Sequence, residues 1–231
     1  MMRTTSNSDA GVLYVVATPI GNLEDITLRA LRVLRECDCV VAEDSRRTRV
    51  LLSAHDIRKP IVSLPAHDEA RRVPAIMERL ARGEQVALCT DAGTPAVSDP
   101  GAALVRAARE AGAAVIPLPG ASAVLAALAG SGLPADSFCF LGFLPRTPGK
   151  LRRSLEAALV GGRTLVFFES PQRLARTLRL AAPLLGARTV TVARELTKIH
   201  ETFHSGTAGE LAEQFTDAPA RGECTILVSN S

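Results

Sequence analysis

Apolar residues follow two alternating rhythms along this chain. Nearly unbroken apolar runs stand at 12–17, 39–42, 61–64, 86–89 and 115–118. Runs this short, bounded by polar or turn residues, predict strands buried on both faces. Between them the apolar positions fall at helical spacing. The segment 27–36 puts Leu28, Leu31 and Leu34 on one face, and 45–54 continues as a second helix. In 68–82, Val73, Ile76, Met77 and Leu80 recur at i, i+3, i+4 and i+7 until Gly83 stops the pattern. A further helix after Pro100 carries Leu104, Val105 and Ala108. This βαβα order predicts a mostly parallel sheet covered by helices on both faces.

The rhythm is interrupted at Pro117-Leu118-Pro119-Gly120, beyond which 121–130 predicts a helix of small residues. Strands are then expected at 138–143, 165–168, 190–193 and 225–228, with helices near 150–159, 171–184 and 208–215. The chain therefore reads as two α/β domains, an N-terminal one over 11–118 and a C-terminal one over 119–231. Residues 1–10 are polar, lack the apolar stretch of a signal peptide, and are expected to form a flexible tail.

Composition narrows this picture. At 231 residues with 47% hydrophobic content, the chain can bury substantial cores. Only 3% is aromatic, so aliphatic side chains must fill those cores, and a base-stacking platform for nucleic acid is disfavoured. The net charge of +3 permits an anionic partner without demanding one. The five cysteines form no CxxC pair; Cys39, Cys89, Cys139 and Cys224 sit in or beside apolar runs and read as small hydrophobes. A reducing, cytoplasmic setting fits, and no apolar run approaches membrane-spanning length.

Candidate chemistry concentrates where strands end. The segment Asp91-Ala92-Gly93-Thr94-Pro95-Ala96-Val97-Ser98-Asp99-Pro100-Gly101 joins a strand to a helix with few bulky side chains. Its glycines permit special backbone angles and its prolines stiffen it, so a ligand could approach the backbone closely. In open α/β sheets, ligands bind at the carboxyl ends of strands. Comparable loops follow other strands: Thr18-Pro19-Ile20-Gly21-Asn22, Glu43-Asp44-Ser45-Arg46-Arg47-Thr48, Pro119-Gly120-Ala121-Ser122-Ala123, Leu141-Gly142-Phe143, Glu169-Ser170-Pro171 and Arg194-Glu195-Leu196-Thr197-Lys198.

Taken in order from about Val12 to Val228, these segments resemble the tetrapyrrole-methylase superfamily of S-adenosylmethionine-dependent enzymes, and most closely its ribosomal RNA branch. The chain departs from that family at Asp68, where Asn is usual, and at Gln172, where His is usual. The resemblance implies an α/β fold of two domains, with S-adenosylmethionine held in the interdomain cleft. It implies cofactor contacts from Pro19, Gly93, Thr94, Pro95, Val97, Ser98, Ala121, Ser122, Ala123 and Leu141. It implies 2′-O-methylation of a cytidine ribose in 16S RNA of the small ribosomal subunit, by a homodimer. The other readings are a superfamily methylase of a corrin-type ring or another anionic metabolite, and a non-catalytic RNA-binding assembly factor.

Methyl transfer from a sulfonium needs alignment above all, with a base assisting the weakly acidic hydroxyl. Asp44, Glu169, Glu195 and Lys198 are the candidates, and the sequence does not choose among them. Phosphate contacts are expected from Arg46 and Arg47 and from Lys150, Arg152 and Arg153. No metal is expected. His200-Glu201-Thr202-Phe203-His204 matches the His-Glu-x-x-His zinc-hydrolase pattern, but that pattern needs a helix. Thr202 and Phe203 are poor helix formers, Ser205-Gly206 follows at once, and the resemblance places the segment in a loop.

Overall fold

A computed structural model describes residues 11–218 and 220–230; the expected 1–10 tail lies outside the described residues. The chain divides into two compact units between Ser122 and Ala123, a little beyond the Pro119-Gly120 breakers.

The first unit alternates strand and helix: β1 (Val12–Val16), α1 (Leu28–Glu36), β2 (Cys39–Ala42), α2 (Ser45–Ala54), β3 (Ile61–Ser63), α3 (Glu69–Ala81), β4 (Gln85–Cys89), α4 (Ala102–Glu110) and β5 (Ala114–Leu118). The strands form one parallel sheet in the order β3-β2-β4-β1-β5. Strand side chains alternate between its faces. Ala87 and Cys89 pack with Val33 and Leu34 of α1 and Leu51 and Leu52 of α2. Val86 and Leu88 pack on the other face with Ile76 and Leu80 of α3 and Leu104 of α4. From β1 the chain crosses through α1 and α2 toward β3; from β3 it returns through α3 and α4 to β5. Right-handed crossovers in opposite directions put the two helix pairs on opposite faces. The reversal lies between β1 and β4, so a crevice is expected at their carboxyl ends.

The second unit comprises α5 (Ala123–Ser131), β6 (Phe138–Phe143), α6 (Pro148–Leu159), β7 (Thr164–Glu169), α7 (Leu174–Leu185), β8 (Val190–Arg194), β9 (Thr202–Gly206), α8 (Ala208–Asp217) and β10 (Cys224–Val228). Its sheet runs β6-β7-β10-β8-β9. Only β6 and β7 are parallel; β10 pairs antiparallel with both β7 and β8, and β9 antiparallel with β8. The mostly parallel expectation, made for the strands up to 118, holds for the first sheet; the second sheet is mainly antiparallel. There β8 and β9 form a hairpin-like pair and β10 returns between β7 and β8. Helices α6, α7 and α8 cover one face through Leu155, Leu178 and Leu211 over Leu165, Phe167 and Ile226. The other face carries α5 against β8 and β10. Toward the β6 edge, Phe168 packs between Phe140 and Phe143, with ring centroids 5.0 and 5.5 Å apart.

Strand β9 is also a correction, since the segment was expected to be a loop. Its backbone pairs fully with β8, from Thr202 opposite Arg194 to Gly206 opposite Val190. Among the described residues, no helix is long and apolar enough to cross a membrane.

Candidate functional site

The loops that leave β1, β2, β4 and β5 meet at the carboxyl edge of the first sheet and are tied together by their backbones. Thr18 and Gly93 exchange two hydrogen bonds, Thr18 N–H to Gly93 O at 2.8 Å and Gly93 N–H to Thr18 O at 3.0 Å. The Thr18 hydroxyl donates to Thr90 O at 3.0 Å, and the Thr90 hydroxyl to the Glu43 carboxylate at 2.9 Å. Asp44 N–H donates to Asp91 Oδ1 at 3.0 Å. The Thr94 hydroxyl reaches Ala121 O at 3.4 Å. Thus Pro19, Gly93, Thr94, Pro95, Ala121 and Ser122 are brought to one edge of the first unit; Ala123 and Leu141 belong to the second.

The 91–101 loop holds its shape against local preference. Gly93 and Gly101 have φ of 88° and 123°, and the non-glycine residues Ala96 and Ser98 stand at 66° and 65°. Left-handed backbone at non-glycine positions is uncommon and clusters at binding sites. Ala96 N–H bonds to Pro100 O at 3.2 Å, so the loop closes on itself. Its far end is fixed by Glu69, whose Oε1 accepts Gly101 N–H at 2.9 Å and Ala103 N–H at 3.1 Å. Glu69 was not singled out from the sequence, because only the fold places it against α4. A Cβ on Gly101 would come within 2.7 Å of the Leu88 side chain. Val97 is exposed, as is Ser98.

Beside this loop a recess of about 90 Å³ is lined by Thr18, Pro19, Leu23, Arg47, Thr48, Val50, Leu51, Thr90 and Asp91. Asp44, at the cap of α2, accepts from Arg46 N–H at 2.8 Å and from the Arg46 guanidinium at 3.1 and 2.7 Å. Those hydrogen bonds hold its carboxyl down at about 2. Asp99 behaves oppositely. Burial, reinforced by Glu43 and Asp91 and opposed by a hydrogen bond from Thr90, pushes it up to about 6.

The other candidate bases belong to the second unit and are engaged. Glu169, only 2% exposed, accepts from Thr177 Oγ1 at 2.6 Å and Ser170 N–H at 2.8 Å, and pairs with Arg173 at 3.1 Å. Glu195 accepts from Lys198 Nζ at 2.8 Å and Glu223 N–H at 2.9 Å. The Lys198 hydrogen bond lowers the Glu195 carboxyl below its ordinary range. Lys198 also pairs with Glu223 at 3.1 Å. Glu195 and Thr197 both stand at positive φ, 52° and 67°.

The basic groups are surface groups. Arg46 belongs to Asp44, and Arg47 lies 3.5 Å from Asp91 Oδ2. Lys150, Arg152 and Arg153 lie on the exposed side of α6; Arg152 pairs with Glu156 at 2.8 Å and Arg153 donates to Gly149 O at 3.2 Å. Asp68, one of the two departures noted in the sequence, pairs with both Arg71 and Arg72 at 2.7 Å.

The zinc pattern lacks its helix. His200 is exposed in a turn, whereas His204 lies in β9, 3.0 Å from the Gln214 amide and 3.2 Å from Thr202 Oγ1, with its ring on Phe215. Among the described residues, no group of three His, Cys, Asp or Glu is placed to hold a metal.

Known proteins resemble this chain over nearly its whole length. Residues 12–212 match the family described as Tetrapyrrole (Corrin/Porphyrin) Methylases. A protein of Halalkalibacterium halodurans named Ribosomal RNA small subunit methyltransferase I is 46% identical over 223 residues, 96% of this chain and 77% of that one. Its namesake in Thermotoga maritima is 45% identical over 219 residues, 95% and 98% of the two chains. Among solved structures, diphthine synthase superposes with a TM-score of 0.75 at 16% identity, over 95% of this chain and 90% of the other. Uroporphyrin-III C-methyl transferase from Thermus thermophilus, complexed with S-adenyl homocysteine, does so at 0.67 and 22%, over 95% and 97%. At those identities the two structures show a shared fold.

Proposed function

This chain belongs to the tetrapyrrole (corrin/porphyrin) methylase family, and on that premise we infer that it transfers a methyl group from S-adenosylmethionine to RNA of the small ribosomal subunit. The observation that carries this reading is identity of 42–46% over at least 94% of the chain to relatives named for that RNA. The acceptor is a cytidine ribose 2′-hydroxyl of 16S RNA.

The donor fits the carboxyl edge of the first sheet. Three loops fastened to one another there present mainly backbone and small side chains, and 91–101 is held in angles that most sequences avoid. Pro19, Gly93, Thr94, Pro95, Val97, Ser98, Ala121 and Ser122 would hold the donor; for Ala123 and Leu141 the support is family resemblance alone. When bound, S-adenosylmethionine supplies an electrophilic methyl on a good leaving group. The protein's share is therefore mainly alignment. The Thr18–Gly93 bonds fix two loops against each other, and Thr94 ties a third. Each constraint removes freedom that would otherwise be lost on reaching the reactive geometry. Asp44, Glu169 and Glu195 all carry hydrogen-bond partners that stabilise or enclose their carboxylates. None of the three is a free base in this arrangement.

Arg46, Arg47, Lys150, Arg152 and Arg153 offer exposed guanidinium and ammonium groups for phosphates, with exposed ion pairs that RNA can displace at little cost. Calorimetry with purified protein tests the donor site. One S-adenosylmethionine per chain is expected, with binding at least tenfold weaker after Thr94→Trp, whose indole would crowd Ala121. A folded wild type that binds neither the donor nor its demethylated product would refute the reading.

A further inference from the structure

The carboxylates singled out from the sequence as bases are all engaged, but the donor loops of the first unit hold one more. Asp99 lies within 91–101, half-buried between the exposed Ser98 and the buried Pro100. The turn that carries it is fixed. Ala96 and Ser98 stand at φ of 66° and 65°, Ala96 N–H bonds to Pro100 O at 3.2 Å, and Gly101 just beyond is held by Glu69 Oε1 at 2.9 Å. Strained backbone of this kind clusters at active sites, where a side chain must be held in one place.

The surroundings of Asp99 favour uptake of a proton. Two carboxylates face it, Glu43 from the end of β2 and Asp91 from the end of β4, and no Lys or Arg among the described residues pairs with it. Thr90 Oγ1 is within hydrogen-bond reach of Asp99 and also of Glu43, at 2.9 Å. One hydroxyl has one proton to share between two carboxylates, so Asp99 keeps lone pairs for a proton from outside. Its neighbours are more fully committed. Asp44 accepts three hydrogen bonds from Arg46, and Asp91 accepts Asp44 N–H with Arg47 at 3.5 Å. Burial and the two facing carboxylates push the Asp99 carboxyl up to about 6. A group so placed is mostly ionised at neutral pH and still binds a proton more tightly than an ordinary carboxylate, which is how general bases are tuned.

We propose that Asp99 is the general base of the methyl transfer, taking the proton of the acceptor hydroxyl as that oxygen attacks the methyl group. The assignment rests on the RNA-methylation reading above. In the step, the hydroxyl proton passes to an Asp99 oxygen, the hydroxyl oxygen bonds to the methyl carbon, and the carbon–sulfur electron pair stays with sulfur. The positive sulfonium and the negative carboxylate both end neutral, so charge balances without a further reactant.

The test joins kinetics to a titration of the protein alone. With small-subunit RNA as acceptor, wild-type kcat/KM should rise with pH through about 6 and then level off. Carbon-13 NMR of the free protein should show the Asp99 carboxyl titrating at the same pH. Asp99→Asn should lower kcat by about 100-fold or more and abolish the acid limb, while calorimetry finds S-adenosylmethionine binding within about threefold of wild type. Thr90→Val removes the hydrogen bond that lowers the Asp99 carboxyl, so its limb should move to higher pH. Asp99→Asn that keeps kcat within about threefold overturns the proposal. So does a loss of donor affinity as large as the loss of rate, which would make Asp99 a donor-holding residue, and so does a carboxyl that titrates away from the kinetic limb. A wild type that binds the donor but methylates no RNA would contradict the methyltransferase reading itself, before any variant is compared.

Discussion

Asp99 carries the most distinctive electrostatics of the first unit. Its carboxyl is raised to about 6 chiefly by burial, with Glu43 and Asp91 adding repulsion. The sign of the consequence follows from linkage. A carboxyl held above its ordinary 3.8 binds its proton more tightly in the folded state. Its favourable contribution is complete below the unfolded value and is lost as pH rises through about 6. Replacing Asp99 by Asn removes the ionised state while keeping nearly the same side-chain shape. Thermal melts should show Asp99→Asn stabilised at pH 8 by about 1–2 kcal/mol, or roughly 2–6 °C, with the gain gone near pH 4. An equal shift at both pH values would show that ionisation is not its cause. Burial acts in the same direction on the cysteines. Cys37, Cys89 and Cys224 have thiols pushed up to about 11, 12 and 11, mainly by burial, which fits packing groups and not nucleophiles.

Among the elements, α4 has the least ordinary start. Its N-cap is Gly101, which has no side chain to accept from the first turn, and Glu69 at the start of α3 supplies the acceptor instead. Glu69→Ala should cost about 1–2 kcal/mol and, by releasing the end of the 91–101 loop, weaken donor binding several-fold. Glu69→Gln, which keeps an acceptor oxygen, should recover most of both. Melts and calorimetry on the two variants check this, and equal losses in both would assign the effect to charge alone. The capping was illegible in the sequence because its partners lie far apart in the chain. The elements themselves were mostly legible. In 45–54 and 208–215 the apolar spacing marks helices that the structure places at Ser45–Ala54 and Ala208–Asp217. Strand β9 escaped because it pairs on one side only and alternates exposed with half-buried residues, so no apolar run betrays it. The direction of β10 escaped too, since an apolar run reads the same whichever way its strand lies.

At the scale of the whole molecule, the two units divide the chemistry that the sequence placed along one line. The first sheet reverses its winding between β1 and β4, and that reversal gathers Pro19, Gly93, Thr94, Asp91 and Ala121 at one edge. The strand-end loops could be read as candidate site segments because glycine, proline and small residues collect there. That Thr48 and Asp91 line one recess could not, because Thr48 arrives on α2 and Asp91 just after β4, far apart in the chain. The second unit brings its own constrained cluster at Glu195, Lys198 and Glu223, and an exposed basic face on α6. The central claim is transfer of a methyl group to ribosomal RNA, and one measurement meets it most directly. Purified protein is incubated with methyl-labelled S-adenosylmethionine and small-subunit RNA from cells lacking the protein, and the RNA is digested to nucleosides. One label per RNA, recovered as 2′-O-methylcytidine, is the predicted result. Absence of label from the RNA, with the same preparation folded and binding the donor, would contradict the account.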